Sequence, residues 1–400
     1  MKFGGTSVGD VKKIKNVAKI VKKQSQNNKI VVVLSAMSGF TNKMQKYIDQ
    51  IESLEKIEND LILTSGENIS IGLLSAILKK NKINCIPLLG WQVPIITDSN
   101  YQKAKILNIN KKRINLYLKK YDVLVIAGFQ GINKDGYITS LGRGGSDTTA
   151  VAIASAIKAD RCDIYTDVEG VFSTDPNVVP KAKKIKKLAF EEMLEMSSTG
   201  AKVLHTRSVE LAMKNNLVLQ VLSSLTQKPG TLIVDEKKLI EKEIVSGVSY
   251  SKNESKITIS GIPDKPGISA KIFGLLADHN INVDMIVQNI SHDGISANIT
   301  FTVPNTEVLQ AKSLLFENLN KINYKSLTTD KNVSKISVIG MGMMSQSGVA
   351  KKMFKTLANN SINILAISTS EIKITVLIEE KFTNIAVKTL HKAYNLNTKK

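Results

Sequence analysis

The chain has 400 residues, with 55 Lys and Arg against 35 Asp and Glu for a formal charge of +20, and 42 % of it is hydrophobic. That length allows two or three domains with sizeable cores, and the apolar content excludes a disordered polyelectrolyte. A basic surface attracts phosphate backbones, but the lysines are spread along the whole chain, aromatics are 5 %, and no nucleic-acid motif interleaves them. The balance argues against a nucleic-acid partner.

No apolar run reads as long enough to span a bilayer, and the opening MKFGGTSVGD has no hydrophobic leader core, so a cytoplasmic protein with no membrane partner is expected. Cys85 and Cys162 lie in the strand-like contexts INCIPLL and RCDIYTD without CxxC or Cys/His spacing. Both are expected in a core, and no metal site is expected.

In chain order, KFGGTSVGD places Lys2 beside Gly4 and Gly5. Glycines let backbone N–H groups approach an anion and the lysine supplies a point charge, although a plain turn would read the same way. The strand KIVVVL follows, and SAMSGFTNK puts Ser35 and Thr41 at its end, where hydroxyls serve either a ligand or a turn. SGENIS sets Glu67 at the start of a helical segment, where a carboxylate also complements the helix dipole. Further strands, INCIPLLG and DVLVIAGFQG, alternate with helical patterns, the signature of a layered α/β domain whose ligands gather at the carboxyl ends of parallel strands.

LGRGGSDTTAVAI then presents Arg143, Gly144, Gly145, Ser146 and Asp147 at a helix N-terminus. The glycines free backbone N–H groups for an anion. Arg143 suits a carboxylate held by two bonds and Asp147 suits an ammonium, so together they read as a clamp for a free amino acid, the alternative being a capped helix with a surface arginine. YTDVEGVFSTDPNVVPKAKKI carries Thr166 and Asp167 at a strand end, and a loop holding Asp175-Pro176 that suits a nucleotide. Lys183 and Lys184 read as a solvated charge run.

QKPGT closes this unit, and the charged stretch DEKKLIEKEI reads as a helix-like connector. Beyond it the sequence repeats: SKITISG at Ser255 answers SKISVIG at Ser334, and GISAKIFGLLADHNINV at Gly267 answers GVAKKMFKTLANNSINI at Gly348. Each copy reads as a small α+β module, the kind of duplication that binds a regulator or builds an interface.

KFGGTSVG, SGE, GRGGSDTTA, YTDVEGVFSTDP, GAKVLH and IPDKPG resemble, in order and spacing and over essentially the whole chain, the aspartate kinases of the amino-acid kinase superfamily. The resemblance implies a three-layer α/β/α amino-acid kinase domain over 1–234, a connector over 235–254, and two ferredoxin-like ACT modules over 255–328 and 329–400. It implies transfer of a phosphoryl group from ATP, with Mg²⁺, to L-aspartate, giving 4-phospho-L-aspartate. Catalysis would rest on Lys2, Glu67, Arg143 and Asp147. Substrate would meet Ser35, Thr41, Glu67, Arg143, Gly144, Ser146 and Asp147, and ATP would meet Lys2, Gly4, Gly5, Thr166, Asp167, Phe172, Asp175 and Lys202. Lysine, threonine or both would regulate through Asp264, Gly267, Ser269, Asn282, Gln288 and Asn363, in a homodimer or higher oligomer joined through the ACT modules. Other readings are a kinase of glutamate or acetylglutamate and an inactive amino-acid sensor.

Three departures stand out. Only Met1 precedes Lys2, so the first strand is expected frayed, either because the start lies upstream or because the strand is truncated. Asn177 stands where family loops commonly read DPR, and Thr206 replaces a proline after GAKVLH. His205 is expected to be structural.

Overall fold

The computed structural model describes every residue except 52–53, 201–202, 227, 240–242, 292–293 and 398–400. It divides into two compact units, one of residues 1–171, 184–197 and 202–240, the other of 172–183, 198–201 and 241–400. The division follows packing, not chain order, so Phe172 to Lys183 belongs to the second unit.

In the first unit the chain runs β1 (Lys2–Phe3), α1 (Val11–Gln24), β2 (Ile30–Leu34), α2 (Phe40–Ile48), α3 (Lys56–Leu63), α4 (Ser65–Lys80), β3 (Cys85–Leu88), β4 (Ile95–Thr97) and β5 (Ile106–Ile109). It continues through α5 (Lys111–Lys120), β6 (Val123–Ala127), β7 (Gln130–Ile132), β8 (Ile138–Ser140), α6 (Gly145–Ile157), β9 (Cys162–Thr166), β10 (Lys187–Ala189), α7 (Phe190–Ser198), α8 (Thr206–Lys214), β11 (Leu219–Ser223) and β12 (Thr231–Val234).

An eight-stranded sheet of order β10-β12-β11-β9-β1-β2-β6-β3 forms the middle layer, parallel except where β11 meets β12. Helices α1 and α4 pack on one face, and α5, α6 and α8 form the other layer. The strands are near-continuous Val, Ile and Leu because both faces are covered. Helix α1 shows how sequence produces this packing. Asp10 accepts a bond from the Lys13 N–H and starts the helix; Ile14, Val17, Ala18 and Val21 then recur on the buried face while lysines take the other. Each of the larger buried side chains stabilises by roughly 1.5–3 kcal/mol, so a charge at Val17 would undo the layer. Both cysteines are buried and unpaired, and burial pushes the Cys162 thiol up to about 11.

A second, four-stranded sheet, β5-β4-β7-β8, is tied down by Asp60. That carboxylate, fully buried on α3, accepts bonds from Gln102 N, Ser140 N and Ser140 Oγ. Contrary to the expectation from sequence, the stretch Lys56–Lys80 is long and apolar enough by length and composition to cross a membrane. Half of that window is buried inside the unit, and it carries the hydrogen-bonded Asp60 and Glu67.

Among its described residues, the stretch read as a helix-like connector makes a single 3-10 turn at Glu236–Lys238, capped by Asp235. A single turn of this charged sequence has little of its own to hold it helical.

The second unit contains β13 (Gly247–Pro263), α9 (Ile268–Asp278), β14 (Asp284–Ile290), β15 (Ser296–Val303), α10 (Val308–Glu317), α11 (Leu319–Ile322), β16 (Ser326–Ile339), α12 (Val349–Ala358), β17 (Ala366–Thr369), β18 (Lys373–Glu379) and α13 (Thr383–Ala393). Its six-stranded antiparallel sheet has the order β14-β15-β13-β16-β18-β17. The long strands β13 and β16 serve both repeats, so the modules share one sheet while keeping separate cores around Ile272 and Met353. The repeat holds in the backbone at the helix starts: Gly267 has φ +91° and Gly348 +96°, a conformation that favours glycine. Across the shared strands, buried Lys335 lies 2.9 Å from Glu254 Oε1 and 2.5 Å from Asp284 Oδ2.

Candidate active site

The site residues of the first unit lie around β1. Because β1 runs between β2 and β9, its carboxyl end faces the ends of both neighbours, the usual ligand crevice of a parallel sheet. Lys2 is not frayed. The Met1 ammonium donates to Val31 O, Val33 N donates to Met1 O, and Lys2 is 8 % exposed. Phe3 stacks on Tyr165 with ring centroids 4.5 Å apart, fixing the strand further.

Lys2 Nζ reaches across to Asp147 Oδ1 at 2.6 Å, both side chains nearly buried. Asp147 sits in the first turn of α6, where the dipole favours its charge. Glu67, in the first turn of α4, is 3 % exposed and accepts a bond from Ala36 N, while its second carboxylate oxygen has no hydrogen-bond partner among the described residues. Burial pushes its pKa up to about 7 against the pull of the Ala36 bond and of the Lys2 charge.

The turn into α6 is built from close approaches. Gly142 and Gly144 adopt φ +74° and +68°, and a Cβ on Gly144 would fall 2.4 Å from the His205 side chain. His205 therefore packs under the turn, in keeping with a structural part. Ser146 is buried, and Arg143 is exposed with no carboxylate among the described residues paired to it. Ser35 follows β2 and donates its N–H to Phe3 O, and Thr41 is half-buried in the first turn of α2. Gly4 donates to Tyr165 O, and a Cβ there would lie 3.4 Å from Lys2 Nζ; at Gly5 it would meet Ala36 O at 3.0 Å.

Toward the nucleotide residues, Thr166 Oγ1 accepts from Val168 N and Asp167 is exposed. In the second unit Phe172 is half-buried, and Asp175 is already engaged: Oδ1 accepts from Asn177 N and Oδ2 from Tyr250 Oη. Lys202 lies outside the described residues. Lys183 and Lys184 are not simply solvated, since Lys183 pairs with Glu243 and Lys184 with Glu169. Among the candidate regulatory residues, Ser269 Oγ donates to Gln288 Oε1 at 3.2 Å, Asn282 N donates to Glu307, and Asp264, Gly267 and Asn363 are exposed.

Sequence reasoning missed three contributors. Gly128, after β6, has no room for a Cβ, which would lie 2.8 Å from Ser146 Oγ and 2.9 Å from Leu34 O. Gly66 likewise lets α4 approach Ala36 and Phe40, at 2.6 Å each from a Cβ built there. Arg207 on α8 donates from Nη1 to Leu141 O and from Nη2 to Ala104 O, holding the chain just ahead of Gly142. A glycine directly after a strand was the available signal for Gly128; nothing local marks Arg207.

A cavity of about 430 Å³ opens at the amino ends of β2 and β9, lined by Val31, Ile153, Arg161 and Cys162 among others, and includes none of these residues. Among the described residues no three His, Cys, Asp or Glu side chains converge as a metal site.

Residues 1–223 match the model of the amino acid kinase family, and 257–315 and 336–394 each match ACT domain models. The chain is 49 % identical over 399 residues to an aspartate kinase of Pseudomonas putida, covering 99 % of this chain and 97 % of that protein. Two solved structures of E. coli aspartokinase III are similar throughout: one in complex with aspartate and ADP in an R-state (26 % identity, TM-score 0.84, 98 % of each chain), the other with lysine and aspartate in a T-state (27 %, 0.77, 99 % and 98 %).

Proposed function

We propose a division of roles within this site from one premise: the chain belongs to the aspartate kinase family. Its reaction moves the γ-phosphoryl group of ATP to the side-chain carboxylate of L-aspartate, giving 4-phospho-L-aspartate and ADP, the first step toward lysine, threonine and methionine. The observation that carries the assignment of residues is the convergence of Lys2, Glu67 and Asp147 at the carboxyl end of β1, beside the glycine-lined start of α6.

The acceptor carboxylate, with an ordinary pKa of about 3.9, is ionised at neutral pH, so no general base is required. The difficulty is bringing two anions together, which calls for positioning and positive charge. Arg143 takes the α-carboxylate, and Asp147 takes the α-ammonium. In the free protein Asp147 holds Lys2; an arriving ammonium replaces that partner, and the lysine turns to the phosphoryl oxygens. Glu67, Ser35, Thr41, Gly144 and Ser146 orient the amino acid, while Gly4, Gly5, Thr166, Asp167, Phe172, Asp175 and Lys202 face ATP. Mg²⁺, carried by the triphosphate of ATP, would supply charge neutralisation beside that of Lys2 and the glycine N–H groups.

Lysine or threonine binds at the ACT modules, near the Ser269–Gln288 bond. The open edge of β14, with Ile286 and Ile290 half or more exposed, pairs the modules of two copies in a homodimer. We place the protein in the cytoplasm.

Acyl-phosphate formation trapped with hydroxylamine tests the assignment, with ATP and Mg²⁺, comparing L-aspartate with L-glutamate and N-acetyl-L-glutamate. A signal with aspartate alone, lowered by lysine plus threonine, is expected. A signal with N-acetyl-glutamate would remove the Asp147 ammonium role, and none with any substrate would leave the sensor reading.

A further inference from the structure

We propose that Ser224 is a positioning residue for this reaction: just beyond β11 it ties the glycine turn after β1 to the end of β9, the two stretches of the first unit that carry Gly4, Gly5 and Thr166. The inference rests on the reading above that these residues face ATP.

The glycine stretch continues as a 3-10 turn over Gly5–Val8. At its entry Gly4 N donates to Tyr165 O at 3.3 Å, and at its exit Val8 is buried in the core with Ile14 and Val17 of α1. Between these two points Ser7 Oγ lies 2.8 Å from Ser224 Oγ, the one side-chain hydrogen bond of the turn among the described residues. Ser224 meets Thr166 twice, since its N–H donates to Thr166 O at 3.0 Å and its hydroxyl reaches the same carbonyl at 3.2 Å. From α1, Asn16 Nδ2 donates to Ser224 O at 2.8 Å. One residue therefore joins the turn, the strand end and the helix that follows the turn.

The direction of the hydroxyl chain follows from its last member. A carbonyl only accepts, so the Ser224 hydrogen goes to Thr166 O and Ser7 gives its own hydrogen to Ser224, an assignment made from the network. Ser7 is 5 % exposed and Ser224 3 % exposed. Removing one hydroxyl strands its buried partner, whereas replacing both by apolar groups is nearly neutral for folding. Stability alone does not require the pair. What it supplies is a directional link between Ser7 and the end of β9, which neither the Gly4 bond nor the packing of Val8 provides. Without that link the turn populates other positions, and ATP has to select the competent fraction, so its apparent affinity falls by that fraction.

The test is steady-state kinetics of the full chain with ATP and aspartate varied separately, alongside thermal melts, for S7A, S224A, the double variant S7A/S224A and T166V. Ser224→Ala and Ser7→Ala are each expected to melt lower and to raise KM for ATP about five-fold, the effect of one buried hydrogen bond, with KM for aspartate within about two-fold of the parent. The double variant should melt closer to the parent than either single while its KM for ATP stays about five-fold raised, because the burial is matched again and the link is not. The proposal is overturned if folded Ser224→Ala keeps the parental KM for ATP, if both KM values rise together, or if the double variant regains the parental KM along with its stability. Should Ser224→Ala fail to fold, Ser7→Ala and the double variant decide, since they break the same bond from the side of the turn. Thr166→Val reports on the underlying reading, because it removes a hydroxyl at the end of β9 and keeps the carbonyl that Ser224 holds. If it leaves KM for ATP unchanged, that strand end does not face ATP and the proposal falls with the reading; if it raises that KM while Ser224→Ala does not, only the role of Ser224 falls.

Discussion

The ammonium of Lys2 lies 2.6 Å from the carboxylate of Asp147, across 145 residues of chain, in a site where the side chains are 11 % and 12 % exposed. Each residue is thus the other's partner until ligands arrive. Replacing Asp147 by Asn removes both the ammonium contact and the counter-charge of a nearly buried lysine. Expected outcomes are a rise of about ten-fold or more in KM for aspartate and a loss of about 1–3 kcal/mol of ligand-free stability, measured by kinetics and denaturant melts. Lys2→Ala, by contrast, should lower kcat about 100-fold or more, since its charge matters most as the phosphoryl group transfers. A double mutant destabilised by the full sum of the two singles would show that the two do not interact in the free protein; their coupling should make it smaller than that sum.

Glu67 gives a pH dependence with a definite sign. Its pKa is raised by burial from 4.5 to about 7, so between those values the folded protein binds a proton that the unfolded chain has released. Its stabilising contribution is full below pH 4.5 and is lost as the pH rises through 7, by an amount of the order of 3 kcal/mol. Glu67→Gln should therefore melt higher than the parent at pH 8, show a flatter stability profile between pH 4.5 and 7, and be nearly inactive. A parallel profile for the two proteins would place the titration elsewhere.

The layered fold was legible because it is written in local patterns. The runs IVVVL and VLVIA became the buried strands β2 and β6, and the twin glycines at 267 and 348 became twin helix starts. The short strands β4, β5, β7 and β8 were not read, since three or four residues such as ITS carry no period. At the site, residue types pointed to chemistry, but pairing did not: nothing near Lys2 indicates that Asp147 will be its partner. Arg207 was hidden for the same reason, because its acceptors are backbone carbonyls whose positions only the fold supplies. The loop 172–183 reads as part of the kinase domain by sequence order and packs with the ACT modules by contact.

Gly128 offers a steric test. A methyl group there would press on Ser146 Oγ at 2.8 Å and on Leu34 O at 2.9 Å, and the backbone oxygen cannot swing away. Gly128→Ala should cost about 1–3 kcal/mol and displace the first turn of α6, raising KM for aspartate. Wild-type kinetics and melting would mean that the strand end relaxes freely.

Effector binding should depend on the Ser269–Gln288 pair. Gln288→Ala removes the acceptor of the 3.2 Å bond at an exposed position, so folding stability should change by less than about 0.5 kcal/mol. If lysine or threonine binds there, the concentration giving half-inhibition rises several-fold while uninhibited kcat is retained. Unchanged inhibition curves for both amino acids would move the effector site away from this pair.

Arg143 and Arg207 flank the same turn and should separate cleanly. Arg143 is exposed, so Arg143→Ala costs little stability, and its effect should appear as a much higher KM for aspartate with ATP affinity nearly intact. Arg207 bridges Leu141 O and Ala104 O at 2.8 Å each, with its guanidinium partly withdrawn from water and its pKa lowered by that burial. Arg207→Ala strands two carbonyls and loosens the approach to Gly142, so it should lose about 2–4 kcal/mol of stability as well as aspartate affinity. Arg207→Lys supplies one donor where two acceptors wait in fixed directions, and it should recover only part of the loss. If Arg143→Ala left aspartate kinetics unchanged while Arg207→Ala weakened them, the amino-acid clamp would have to be rebuilt without Arg143, from the backbone of the turn that Arg207 holds.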